Sequence, residues 1–227
     1  MNEAILNINS QSKLDIRCID DFELDFLLKN LSSFNSIKKI SKYHDIRKKE
    51  FLLGRYSSKL NLKKNYDLNL LDLDFKESRE PIWPDGFIGS ISHSKKFVLT
   101  AVALKSNVLC LGIDIEQLGR INNGILSKVI IDQDTKFVNG LDELQLGTLI
   151  FSAKESFYKA IYPLYGHFFG FDYAYVGKVD LINSYFEISL VKDLNENSTA
   201  NKLKNIQGKF AFFENHLITL IEISSLN

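Results

Sequence analysis

Two short acidic motifs hold the residue types best suited to chemistry. Gly112-Ile113-Asp114-Ile115-Glu116 alternates apolar and acidic residues. As a strand it turns Asp114 and Glu116 to one face and Ile113 and Ile115 to the other. Phe151-Ser152-Ala153-Lys154-Glu155-Ser156-Phe157-Tyr158-Lys159 has helical spacing instead. Ile150, Ala153, Phe157 and Ala160 form an apolar stripe, and Glu155, Tyr158 and Lys159 share the other side, with Lys154 at its edge. Two carboxylates from a strand and a third from a helix suit a divalent cation that takes oxygen ligands. Lys154 and Lys159, flanking the third carboxylate, suit a phosphorylated ligand.

A third informative stretch runs from Arg79 through Glu80-Pro81-Ile82-Trp83-Pro84-Asp85-Gly86 to Phe87-Ile88-Gly89-Ser90-Ile91-Ser92-His93-Ser94. Its prolines and glycines exclude a regular helix and shape a loop that leads into extended chain. There the serine hydroxyls alternate with Ile91 and His93, so with nearby arginines they offer donors to a phosphate. The arginines come from residues 44–60, which read as an amphipathic helix. Ile46, Leu53, Tyr56 and Leu60 gather on one side, with Arg47, Lys48, Arg55 and Lys59 opposite.

The elements that must position these groups are mixed. Residues 97–104 and 108–115 are apolar enough for buried strands, with Lys105-Ser106-Asn107 between them suggesting a tight reversal. Residues 142–162 form a second long helix. Tyr185–Val191, Lys209–Phe213 and Leu217–Ser224 read as three more strands, the last two joined through Glu214-Asn215-His216. Asp193–Asn205, rich in Asn and Lys, reads as an exposed loop. A seam falls close to residue 110.

Composition bounds the partners. The 227 residues are 45% hydrophobic, enough for a sizeable core. The 28 basic and 28 acidic residues balance, so no global charge excess holds a nucleic acid or an acidic membrane, and any anion site must be local. Cys18 and Cys110 lie among apolar residues outside any CxxC or Cys/His cluster, as expected of reduced thiols in a cytoplasmic protein. The first thirty residues lack the basic start and apolar block of a secretory signal. No apolar run approaches the ~20 residues of a membrane span.

Trp83-Pro84 through Gly86, Gly89-Ser90-Ile91-Ser92-His93-Ser94, then Gly112–Glu116, then Phe151–Lys159, in that order and with Arg79-Glu80-Pro81 ahead, resemble the motifs of the 4′-phosphopantetheinyl transferases. The likeness is to the larger, two-halved kind typified by enterobactin synthase component D. It covers residues 44–162 in motif terms, and the strand-rich tail suits the rest. The resemblance implies an α+β fold of two similar α/β subdomains related by a pseudo-twofold, residues 1–110 and 111–227, with the active site in the cleft between them. It implies transfer of the phosphopantetheine arm of coenzyme A to a serine of an apo-carrier protein of nonribosomal peptide, siderophore, polyketide or fatty-acid synthesis, with release of 3′,5′-ADP. Asp114, Glu116 and Glu155 are then the ligands of Mg²⁺ (or Mn²⁺), and Glu155 is the base that takes the serine proton, directly or through a metal-held water. Lys159 stabilises charge on the departing phosphate. Arg47, Arg55, Arg79, Ser92, His93, Lys154 and Lys159 grip coenzyme A. Because one chain supplies both halves, a monomer is expected. Phe137, Phe168, Phe169 and Phe171 are left over as rim residues that could meet an acidic carrier helix, or as core.

Taken singly, each motif has an ordinary reading. Glu155 and Lys159 could form a helix-surface ion pair of about 0.3–0.5 kcal/mol. Asp114 and Glu116 could be the wet face of a strand, and His93 a structural histidine. Three motifs in one order weigh against that. Two rival functions use the same residues. A Mg²⁺-dependent hydrolase of nucleotides or diphosphates would turn over coenzyme A with no carrier present. A non-catalytic module would bind coenzyme A without Mg²⁺ and release no ADP.

Overall fold

The computed structural model describes Ile8, residues 10–191 and residues 205–225. The expected loop at Asp193–Asn205 lies, apart from Asn205, outside the described residues. The first half contains β1 (Lys13–Cys18), α1 (Leu24–Asn30), α2 (Ser36–Lys39), α3 (Asp45–Tyr66), β2 (Phe87–His93) and β3 (Phe97–Leu104). The second contains β4 (Val108–Gln117), α4 (Asn123–Val129), α5 (Glu143–Tyr165), β5 (Ala174–Asp180), β6 (Tyr185–Leu190), β7 (Ile206–Phe213) and β8 (His216–Ser224).

One plan is used twice. In the first half a strand, a long helix and a hairpin fold so that β1 pairs antiparallel with the last strand, giving the order β1-β3-β2. In the second, β4 pairs antiparallel with β8, which pairs with β7, and β6 and β5 extend the sheet to β4-β8-β7-β6-β5. The fold is α+β, with two similar halves.

The strands' period of two explains how the halves meet. Val98 and Val102 of β3 face α3, in a cluster with Leu52, Leu53 and Leu62. Phe97, Leu99 and Ala101 face the other way and pack on Leu111, Ile113 and Ile115 of β4. The even residues of β4 face α5, where Cys110 joins Ile150, Ala153, Phe157 and Ala160. The layers are therefore helix, sheet, sheet, helix, with the apolar side of the Gly-Ile-Asp-Ile-Glu motif in the seam and its acidic side under α5. Gly112 permits this contact: a Cβ there would lie 1.9 Å from the Ser156 carbonyl oxygen. The reversal expected at residues 105–107 is present, with the Asn107 N–H bonded to the Leu104 carbonyl. It does not close a hairpin, because β3 and β4 belong to different sheets.

The face expected for α3 needs correction. Ile46 is 70% exposed, while Ser57, Ser58 and Asn61 are buried against the sheet. Hydrogen bonds compensate their burial. Ser57 Oγ contacts Thr100 Oγ1 at 3.0 Å and bonds Asp15, and Asn61 donates to the Lys13 carbonyl at 2.7 Å. Arg55, expected on the open side, is also buried.

Candidate active site

The side chains singled out above converge, with one exception, on a cleft of 420 Å³ between the two halves. Arg47 and Arg55 reach it from α3, Ser92 and His93 from β2, Arg79 from the proline-rich loop, Asp114 and Glu116 from β4, and Glu155 and Lys159 from α5. The loop is shaped by Trp83, whose ring covers Gly89 so closely that a Cβ there would lie 2.4 Å from it.

Asp114 is the hub. Its Oδ1 accepts from Ser92 Oγ at 2.8 Å and from Lys159 Nζ at 2.7 Å, and its Oδ2 accepts from Ser152 Oγ at 2.9 Å. Lys159 Nζ also donates to Ser92 Oγ at 2.9 Å. An ammonium has three hydrogens, so one is left for a ligand. The hub thus ties β2 of the first half to β4 and α5 of the second. A backbone link reinforces it, the Ile113 N–H donating to Ser90 Oγ at 3.2 Å.

The other two carboxylates are uncomfortable where they stand. Burial, the Asp114 charge and Glu155 push the Glu116 carboxyl up to about 7, with Arg120 and Lys159 opposing. Burial likewise raises Glu155, Lys159 opposes it, and Asp114 adds to the rise. Among the described residues, however, no three His, Cys, Asp or Glu side chains gather into a group that could hold a metal ion. The expected trio therefore shares the cleft without closing into one ligand set, because Asp114 is committed to two hydroxyls and an ammonium. Glu116 and Glu155 still fit a hard cation in kind. They are oxygen donors, largely buried, and their mutual repulsion is what a cation would relieve.

At the opposite end the cleft is basic. Arg55 stacks its guanidinium 3.5 Å from the centroid of Phe51 and faces Phe75, while its buried Nε lacks a hydrogen-bond partner. Burial and the Arg47 charge push it down to about 9, so it stays protonated at neutral pH. Arg79 holds a left-handed φ of 72°, uncommon outside glycine. His93 lies between Arg47 and Glu50. Burial, Arg47 and Lys159 hold its imidazole below the usual histidine range, against the pull of Glu50 and Asp114.

The exception is Lys154. Its side chain is buried away from the cleft, and its three hydrogens go to Asp134 Oδ2 at 2.7 Å, the Val129 carbonyl at 2.8 Å and the Phe171 carbonyl at 3.2 Å. Asp134 in turn accepts from the backbone N–H groups of Ile131 and Val176. The expectation that Lys154 grips coenzyme A is corrected: with no donor left, it staples the end of α4, the segment after it and the segment before β5 to α5. The aromatic rim also divides. Phe137 and Phe168 are exposed, while Phe169 is buried among Phe157, Tyr165 and Tyr173. Glu50, which lines the cleft, escaped the sequence reading because helix spacing alone made it one charge among many.

A cleft that sets arginines of the first half opposite carboxylates of the second has the chemistry to suit a phosphorylated ligand with a cation. The family model described as the 4′-phosphopantetheinyl transferase N-terminal domain matches residues 36–103, and that described as the 4′-phosphopantetheinyl transferase superfamily matches residues 110–220. The chain belongs to the 4′-phosphopantetheinyl transferase superfamily, whose members transfer phosphopantetheine from coenzyme A to carrier proteins. It is 28% identical over 189 residues to 4′-phosphopantetheinyl transferase Npt of Nocardia iowensis, covering 80% of this chain and 85% of that one. It is 40% identical over 98 residues to 4′-phosphopantetheinyl transferase Svp of Streptomyces mobaraensis, covering 41% and 40%. It is 38% identical over 88 residues to enterobactin synthase component D of Salmonella typhi, covering 37% and 36%. The last two alignments thus span less than half of each relative. Among the described residues no helix is long and apolar enough to cross a membrane.

Proposed function

We propose that this transferase acts as a monomer on a serine of an apo-carrier protein of nonribosomal peptide or siderophore synthesis, releasing 3′,5′-ADP and requiring Mg²⁺. The observation that carries this reading is the convergence of Glu155, Asp114, Lys159, His93 and three arginines on one cleft. A second groove, lined by Trp83, Ile88, Leu109, Tyr158 and Tyr162, shares Arg79 and Lys159 with it and suits the arm of coenzyme A leaving the diphosphate. The division between subdomains is proposed to fall near residue 110.

In this mechanism Arg47, Arg55, Arg79, Ser92 and His93 hold the phosphates of the nucleotide half, and Lys159 holds the diphosphate. Glu155 takes the proton of the carrier serine, whose oxygen attacks the β-phosphorus. Burial keeps Glu155 more basic than a surface carboxylate, as a general base near neutral pH requires. The bond from that phosphorus to the bridging oxygen breaks, and the charge left on the departing ADP meets the spare Lys159 donor. Mg²⁺, held by Glu116 and Glu155 beside Asp114, would neutralise the diphosphate.

Metal stripping tests the reading. Enzyme treated with a chelator, given coenzyme A and an apo-carrier, should form no holo-carrier until Mg²⁺ returns. Glu116 ionises at about 7, so the Mg²⁺ concentration for half-activity should fall roughly tenfold per pH unit up to neutrality and then level off, because the ligand must lose its proton first. The same raised value favours the fold below the ordinary carboxylate range, and that contribution is lost as pH rises through about 7. Full activity without metal, or a Mg²⁺ requirement flat across neutrality, would contradict the assignment of Glu116.

A further inference from the structure

Glu50 is a carboxylate inside the basic end of a cleft read as an anion site, and none of the roles assigned above uses it. Its Oε2 lies 3.0 Å from Arg47 Nη1, and its Oε1 lies 3.6 Å from His93 Nδ1, an ion-pair distance. The same Arg47 Nη1 meets His93 Nε2 on the other edge of the ring. A guanidinium can only donate, so Nε2 must present its lone pair and the ring proton must be on Nδ1, facing Glu50. The imidazole is neutral in this arrangement. The charged groups acting on it are Glu50 and Arg47 of α3, Lys159 of α5 and Asp114 of β4, and Arg55, Arg79, Glu116 and Glu155 line the same cleft.

A phosphate entering here accepts from the Arg47 N–H, and it can bond His93 only if Nε2 becomes a donor. We propose that Glu50 is a positioning residue that lets His93 take up a proton as coenzyme A binds, so that the imidazolium lies between phosphate and carboxylate. The inference rests on the reading of the cleft as the coenzyme A site. Glu50 then has a purpose in an anion cleft. It faces Nδ1 at ion-pair distance before binding and balances the second ring proton afterwards, and Arg47 passes from the ring to the ligand. Without that carboxylate the ring would have to charge beside Arg47 and Lys159 with only the weaker pull of Asp114 and the ligand itself.

The test is the protonation of His93 read by long-range ¹H–¹⁵N spectra at neutral pH without metal, with the signal assigned by its loss in His93→Asn. Free enzyme should show one protonated nitrogen, Nδ1, and one bare nitrogen. With coenzyme A both should carry protons. In Glu50→Gln the bound ring should stay neutral, and KM for coenzyme A should rise roughly tenfold, the equivalent of one pKa unit of lost interaction, with a smaller change in kcat. A bound ring that stays neutral in the parent enzyme while other cleft residues shift would overturn the inference and leave the coenzyme A site standing. Charging of the ring in Glu50→Gln to the parent's extent would overturn it too. No response of any cleft residue to coenzyme A would remove both readings together.

Discussion

Replacing Glu155 by Gln should lower kcat for arm transfer by about 10²–10⁴-fold, the range a positioned general base contributes, with no loss of folded protein. The carboxylate reaches the cleft from the middle of α5, on the side away from the Ile150–Ala153–Phe157 stripe, so the isosteric amide disturbs no packing. Asp114→Asn should be as damaging by another route. Asp114 accepts from Ser92, Ser152 and Lys159 at once, and an amide keeps its oxygen toward Lys159 and Ser92 only by turning its NH₂ on Ser152, whose hydroxyl must then accept. Lys159 then loses its counter-charge, and the tie between β2, β4 and α5 slackens. Steady-state rates with an apo-carrier, beside thermal melts of both variants, decide the matter. If both variants keep more than a tenth of the parent rate, the acidic cluster is not the catalytic centre.

Lys154→Met should cost stability and leave coenzyme A binding nearly unchanged. Lys154 and Asp134 are buried together, and removing one member of such a pair strands the other charge, at a cost of about 3–5 kcal/mol. For a chain of this size that lowers Tm by about 6–20 °C. Burial depresses the proton affinity of the Lys154 ammonium, and Asp134 opposes that effect. The double variant Lys154→Met with Asp134→Leu should recover only the part of the loss due to the stranded charge, because the Ile131 and Val176 N–H groups and the Val129 and Phe171 carbonyls lose their partners. If Lys154→Met melted like the parent but bound coenzyme A far more weakly, the lysine would belong to the ligand after all.

The contrast between Lys154 and its neighbour shows what the sequence could reveal. Strand and helix periods placed Asp114 and Glu116 on one face and gave α5 its buried stripe, since both follow from geometry local to an element. The family motifs then supplied order and roles. Lys154 looked equivalent to Lys159, because the partners that separate them, Asp134 and two backbone carbonyls, come from irregular segments with no periodic signal. The burial of Arg55 failed to show for a similar reason. The guanidinium stacks on Phe51 of the same helix, and Phe75, brought close by a loop, helps to bury it. β1 went unassigned because its alternate residues Lys13, Asp15 and Arg17 are charged, although Asp15 is turned in to meet Ser57 of α3. β5 is broken by a register shift between Val176 and Lys178.

The central claim is that the cleft moves a phosphopantetheine arm to a carrier serine and does not spend coenzyme A on water. Mass spectrometry of apo-carriers from peptide, polyketide and fatty-acid synthesis, each incubated with enzyme, coenzyme A and Mg²⁺, tests it most directly. The account predicts a gain equal to the arm on peptide carriers, matched by 3′,5′-ADP, with coenzyme A intact when no carrier is added. Coenzyme A consumed at the same rate without any carrier, and carriers of unchanged mass, would contradict it.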